Sequence, residues 1–559
     1  MQMGRAFSLW VAPVVGVALV ACNGTVRVGN TGFSGNTDPQ NTDTAMPTGG
    51  ETELPGTTDG GSTSTSGGQD TDGGSSLSGG TDDGPKLDIA DIPEPPSAEF
   101  PQTCDEAEAA ETSVGCVFHP IYLPRVSNGL VGFAAANVSS ETAHVELFTY
   151  DGMVDVVDVE PGAVHIFERD TSLRVGFLGD EIGRAGYELV SDFPLQVFTF
   201  MPFSGTLVTN DASIMFPSST LGTRYRIANF EVENAVGSDQ HVTVVATEDN
   251  TEVTFSLVNA GAVTTGSDMV PALDYDAGND SLTVTLNRFE HVAITAPEWI
   301  EDQGVNPLYG SLVESSAPVA VYSGVGGLVL NAGANDVVHT AVPPTSVFGT
   351  QYAAAKFIPV GNAPDIWRFV GNEDGTVVEL QGGGIDQTIE LEAGEVYDLW
   401  TSASFWAEGN EPFGLLHLMT GAVANPPLIP HDCDEAISGP GDPAMGWVFA
   451  QENWLNRYLM PVGQASDEAG ADQWCHNHLT VVAPLEEWEA IEVDGLPLPD
   501  PLPIGNDDFG YAYVPAPPGT HELVAPEGVG VQVDVYGFHH NGSYFYPGGM
   551  GLRNINPAG

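Results

Sequence analysis

The chain has 559 residues, with 76 acidic side chains against 14 basic ones and a formal net charge of −62. Only two of the cations are lysines, Lys86 and Lys356. Such a balance repels nucleic acid and anionic membrane surfaces, so neither is expected as a partner, while divalent cations are compatible with it.

The first residues read as an export signal. Arg5 supplies a positive start, and the apolar run Phe7 to Val20 is short and interrupted by glycine and proline. It ends in Leu19-Val20-Ala21-Cys22, which resembles the lipobox of bacterial lipoproteins. That likeness implies cleavage after Ala21 and acylation of Cys22, and Asn23 points to the outer membrane rather than retention at the inner one. The expected location is the cell surface, reached through the general secretory pathway, with lipid as the only membrane contact.

Residues 22–97 are Gly, Ser, Thr, Asp and Pro with almost no core-forming side chains. A segment of this kind cannot bury enough apolar surface to offset its ordering entropy. It is expected to act as a tether with a reach of roughly 50 Å. The remaining module, 98–559, is longer than one simple sandwich and calls for several units.

Of five cysteines, four remain once Cys22 is acylated: Cys104, Cys116, Cys433 and Cys475. An even set in an oxidising compartment suggests two disulfides with three possible pairings. The nearest pairs in sequence, Cys104 with Cys116 and Cys433 with Cys475, are preferred.

Strand-like runs alternate with turn residues through the module, and they repeat. One segment occurs as Val131-Gly-Phe-Ala, His241-Val-Thr-Val, Ile366-Trp-Arg-Phe and His478-Leu-Thr-Val, at intervals of 110, 125 and 112 residues. A second type spans Tyr187 to Phe200 and Tyr309 to Tyr322, with weaker copies at 406–419 and 521–538. The third opens on Asn210-Asp, Asn335-Asp and Gly441-Asp. The last type places a glycine three residues before an aromatic, as in Gly222-Thr-Arg-Tyr225 and Gly349-Thr-Gln-Tyr352, with Tyr458 in a drifted copy. The fourth unit has no room for this last piece, yet Gly115-Cys-Val-Phe118 supplies one at the other end. The expected fold is therefore all-β and closed, a β-propeller of seven or eight blades whose N-terminal strand completes the last unit. Tandem β-sandwiches are the alternative.

These segments resemble the IgGFc-binding protein N-terminal domain family. The likeness rests on Cys104-Asp-Glu-Ala-Glu108 with Ser113-Val-Gly-Cys116, on Asn210-Asp-Ala-Ser213 and on Val244-Val-Ala-Thr-Glu-Asp249. It continues through Pro343-Pro-Thr-Ser-Val-Phe-Gly-Thr350, Asp365-Ile-Trp-Arg368 and Tyr546-Pro-Gly-Gly549. The resemblance implies a surface protein, and it brings no catalytic or Fc-contact residues to carry over.

Motifs that could carry chemistry are few. Glu248-Asp-Asn-Thr251 and Glu373-Asp-Gly-Thr376 could offer carboxylates to Ca²⁺, but their spacing is that of hairpin turns. Cys475-His-Asn-His478 lacks the paired spacing of a zinc site. Gly324-Val-Gly-Gly-Leu-Val329 reads as a loop without the third glycine of a dinucleotide fold. No cofactor and no catalytic residue is assigned. The expected function is a non-catalytic binding or adhesion module for an extracellular protein or glycan, with a polysaccharide hydrolase as the alternative.

Overall fold

The computed structural model describes residues 99–123, 130–170, 175, 181–204, 211–230, 239–258, 275–276, 280–297, 308–330, 335–359, 363–421, 441–463, 476–539 and 542–556. The expectations for Cys22, the 22–97 tether, Cys433 and Cys475 lie outside them. Inner strands such as Pro443–Val448 are buried on both faces, whereas outer strands alternate in burial as a half-buried sheet requires. In Ala143–Thr149, for instance, Ala143, Val145, Leu147 and Thr149 are buried while the residues between them face outward.

Four repeats follow one another. The first holds β1 (Val114–Phe118), β2 (Leu130–Asn137), β3 (Ala143–Thr149), β4 (Gly152–Val159), β5 (Val164–Arg169), β6 (Glu181–Gly183), β7 (Glu188–Ser204) and β8 (Asp211–Ile214). The second holds β9 (Arg224–Arg226), β10 (Asp239–Ala246), β11 (Thr251–Ser256), β12 (Tyr275–Asp276), β13 (Ser281–Leu286), β14 (His291–Pro297), β15 (Leu312–Ser315), β16 (Val319–Val329) and β17 (Asn335–Ala341). The third comprises β18 (Gly349–Ala354), β19 (Asp365–Gly371), β20 (Thr376–Gly382), β21 (Ile385–Leu391), β22 (Val396–Thr401), β23 (Phe405–Thr420) and β24 (Pro443–Val448). The fourth comprises β25 (Arg457–Val462), β26 (His476–Pro484), β27 (Glu492–Val493), β28 (Leu496–Pro497), β29 (Leu502–Pro503), β30 (Phe509–Pro515), β31 (Gly519–Val524), β32 (Gln532–His539) and β33 (Gly542–Pro547).

Each repeat is a pair of antiparallel layers. In the first, β7 is 17 residues long and serves both. Its C-terminal half lies between β2 and β8, and its N-terminal half between β3 and β1. The third repeat copies this around β23, while in the second and fourth the long strand is broken into β15 with β16 and β31 with β32. The layers face each other. In the third repeat Trp367 and Phe369 of one layer share a core with Val378, Leu380 and Ile389 of the other. Each large side chain buried this way stabilises the fold by about 1.5–3 kcal/mol.

All-β is therefore correct, and layers of four or five strands, two to a repeat, match the expected strand supply. The layers come as four face-to-face pairs, and no closed propeller of seven or eight blades is shown. The N-terminal strand also behaves differently from expectation. β1 pairs with β7 inside the first repeat, with Val114 opposite Gln196 and Phe118 opposite Leu189. The glycine-to-aromatic segments are the first strands of their repeats, not the last, so no repeat is short of a piece. Gly324–Val329, expected as a loop, lies within β16. Glycine is required at 324 because a side chain there would run into the Val338 carbonyl.

Repeats interlock. β6, which precedes β7 in the chain, pairs with β14 of the second repeat. Arg368 on β19 reaches back to the Asn229 carbonyl, lies 3.6 Å from the Phe230 ring and 4.5 Å from the Tyr309 ring, and grips Asp398 with two hydrogen bonds of 2.7 and 2.6 Å. The C-terminal residues 548–556 form a strap. Met550 and Leu552 exchange backbone hydrogen bonds with Ser113 and Glu111, Gly551 bonds Asn453, and Ile555 and Asn556 bond Ser346. Last and first repeats thus meet through this strap and through β8 against β33, while the strand pairing of β1 is with β7 and not with the last repeat.

The glycine-to-aromatic motif has a physical explanation. The Tyr225 hydroxyl folds back to accept the Gly222 N–H at 2.8 Å and donates to the Val319 carbonyl at 2.6 Å. Tyr352 bridges the Gly349 N–H and the Phe413 carbonyl, and Tyr458 bridges the Leu455 N–H and the Val531 carbonyl. A side chain at Gly222 would collide with Pro344, and one at Gly115 with Pro217.

Candidate binding surface

The strands β8, β17, β24 and β33 are the innermost of their layers and touch one another. β8 lies against β17 and β33, and β24 lies against the same two. Where they begin, the sequence repeats an aspartate, and the copies Asp211, Asp336 and Asp442 are all buried. Asp211 gathers a backbone N–H from each of the four strands. Its Oδ1 accepts from Ala212 at 2.8 Å and Phe545 at 3.3 Å, and its Oδ2 from His339 at 3.1 Å and Met445 at 3.2 Å. Burial pushes this carboxyl well above its ordinary range, while the four donors pull it back. With 1% of its surface exposed, it offers a substrate no open side. Burial also raises Asp442, to about 7.

Histidines gather along the seam between the third and fourth repeats. The His417 ring lies between Phe357 and Trp367, at 3.9 and 3.7 Å and nearly parallel to both. Its Nε2 is 3.0 Å from Asp365, whose carboxylate also takes the Phe357 N–H. Burial holds His417 below its ordinary value against the pull of Asp365. His476 and His478, from the Cys475 motif, stack on Phe538. Burial, with His476 beside it, lowers His478 to about 4. These rings behave as core members. Among the described residues, no group of three or more His, Cys, Asp or Glu is placed to hold a metal ion.

The two Ca²⁺ candidates are turns. Asn250 and Gly375 take positive φ, and Asp249 and Asp374 accept the N–H groups of Arg288 and Ala393 in a facing turn. Cys104 and Cys116 are joined in a disulfide that ties helix α1 (Cys104–Ala110) to β1. Thr103 and Glu106 cap that helix reciprocally.

Apolar side chains are exposed elsewhere, on the outer strand β4, whose hydrogen-bonded neighbour is β3. Met153, Val154 and Val156 are about half exposed, as is Tyr150 in the turn before them. The Arg184 guanidinium lies 4.0 Å from the Tyr150 ring centre. Asp155 covers part of the strand edge, accepting the Val156 N–H at 2.9 Å and Arg169 at 2.7 Å. The sequence carries a signal for this patch. Met153-Val154 and Val156-Val157 put apolar side chains on both faces of one strand, which a strand buried on one side does not need.

Residues 211–537 match the family described as IgGFc binding protein. The IgGFc-binding protein of Homo sapiens is 26% identical over 293 residues, which is 52% of this chain. The match takes up 5% of that protein's length. No solved structure matches.

Proposed function

The chain belongs to the IgGFc-binding protein family, and on that premise we propose that residues 98–559 form a non-catalytic binding module for an extracellular protein. The observation that carries this reading is β4, where four apolar side chains stand exposed on and beside one outer strand. Exposed patches of this kind mark interaction sites in soluble proteins. The repeated aspartates, which a hydrolase would need open to substrate, are buried among the inner strands. The finer reading is a four-repeat closed scaffold on a 22–97 tether, held at the outer-membrane surface by lipid on Cys22. A glycan is the alternative ligand.

The full chain should be tested on arrays of extracellular proteins, human IgG Fc among them, and of glycans, alongside glycosidase substrates. The expected result is a protein ligand whose affinity falls about tenfold in Met153→Ser/Val156→Ser, with no change in melting temperature. Binding confined to glycans, or turnover of any glycosidase substrate, would overturn the reading. The anchor is tested separately: Cys22→Ser should move the protein from the detergent phase to the aqueous phase.

A further inference from the structure

The fourth repeat departs from the others at its outer edge. Where the first and third repeats place β4 and β21, the chain runs Leu496-Pro-Leu-Pro-Asp-Pro-Leu-Pro503, with proline at every second position. Proline removes a ladder donor and fixes φ, so only the two ends of this segment join sheets. β28 pairs with β27, and β29 with β30. The middle is pinned instead by side chains. Trp488 Nε1 donates to the Pro499 carbonyl at 3.0 Å, and Ile504 is buried with Trp406 and Tyr511. A side chain at Gly510 would meet both Pro501 and Leu485, so these residues crowd together over β30.

Held in this way, the segment still turns leucines outward. Leu496 is 68% exposed, Leu502 40% and Leu485 39%. Proline alone suffices to protect a sheet edge from pairing, and that role gives no reason for exposed leucines. The chain on either side of these leucines carries one sign of charge. Glu486, Glu489, Glu492, Asp494, Asp500 and Asp507 are all exposed, and no lysine or arginine occurs between Arg457 and Arg553. A second copy of the chain would bring the same negative field, so self-association is opposed.

We propose that Leu496–Pro503, together with Leu485, is a preformed docking ridge for a cationic protein that receives it in an aromatic-lined groove. Proline-rich segments suit such grooves because their backbone has little freedom left to lose. These exposed carboxylates steer a basic partner towards the leucines and discriminate against acidic ones. The ridge shares no residue with the β4 patch, so either surface can fail without the other.

The test uses the full chain and a fluorescent octapeptide of alternating lysine and tryptophan, with lysine–serine and glutamate–tryptophan octapeptides as controls. The lysine–tryptophan peptide should bind, weaken with added salt, and lose about tenfold in affinity to Leu496→Ser/Leu502→Ser. That variant should melt with the wild type, since both leucines are exposed. Met153→Ser/Val156→Ser should bind the peptide unchanged. Equal affinity of the Leu496→Ser/Leu502→Ser variant would overturn the proposal, as would equal binding of either control peptide. Loss of peptide binding in the β4 variant alone would overturn it too, while leaving the β4 reading in place.

Discussion

Asp211 is one carboxylate with four backbone donors, each from a different strand. Asp211→Ala would leave those buried N–H groups without a partner, and we expect a loss of about 3–5 kcal/mol in urea denaturation. Asp211→Asn, which keeps an acceptor oxygen, should lose less. The folded-back tyrosines make a milder case. Tyr225→Phe, Tyr352→Phe and Tyr458→Phe should each cost about 1–2 kcal/mol, because a backbone N–H and a carbonyl lose their shared partner. The equivalent position in the first repeat is already Phe118, and its repeat has the Cys104–Cys116 disulfide beside it. Asp442 gives a pH dependence. Its folded value of about 7 lies above that of an unfolded aspartate, so the folded state binds the proton more tightly. Its stabilising share is full in acid and is lost as pH rises from about 4 to about 7. His119 and His241, both lowered to about 3 by burial, oppose it, since they lose stability as pH falls below about 6.5. Comparing melting curves isolates the aspartate: the stability of Asp442→Asn relative to wild type should improve by about 3 kcal/mol between pH 5 and pH 8.

The C-terminal strap carries more than its length suggests, because its backbone bonds reach Glu111, Ser113, Ser346 and Asn453 in turn. Truncation after Pro547 removes no strand, yet should lower the melting temperature by several degrees and expose the Glu111–Ser113 segment to protease. If melting and cleavage patterns stay those of the full chain, the strap is an accessory. Strands, turns and the fourfold repeat were legible in the sequence, because alternating burial and turn residues act locally. The phase of the repeat was not legible. A periodic sequence gives the interval between copies, whereas the point at which one copy ends depends on which neighbour each strand pairs with. Gly115-Cys-Val-Phe118 reads as a copy, but only its pairing with β7 places it at the start of the first repeat. The glycine before each aromatic was legible as a motif, but its cause, Pro217 and Pro344 pressing on Gly115 and Gly222, lies about a hundred residues away in the chain. The outward leucines of 496–503 were invisible for a related reason: composition does not say which face of a strand meets water.

At the scale of the whole molecule, the chain carries a net charge of −62 with few cationic groups, and among the described residues Arg169, Arg184, Arg368 and Arg457 are held in ion pairs. Self-repulsion opposes compaction, and counter-ions relieve it. Raising sodium chloride from about 0.01 M to about 0.5 M should therefore raise the melting temperature, and a flat or falling curve would show that the repulsion is already neutralised. The meeting of four inner strands at one carboxylate has a consequence of another kind. In a linear array of repeats, the terminal copies fray first and unfolding proceeds inward by nearest-neighbour steps. Here each inner strand is held by a side chain that three other repeats also hold, so no repeat is terminal in that sense. Detaching one leaves the remaining three around a carboxylate that has lost a donor, which makes the next detachment easier. Loss of the first repeat removes Asp211 itself. The module is built to come apart all at once, resisting pull and heat up to a single threshold and retaining little structure beyond it.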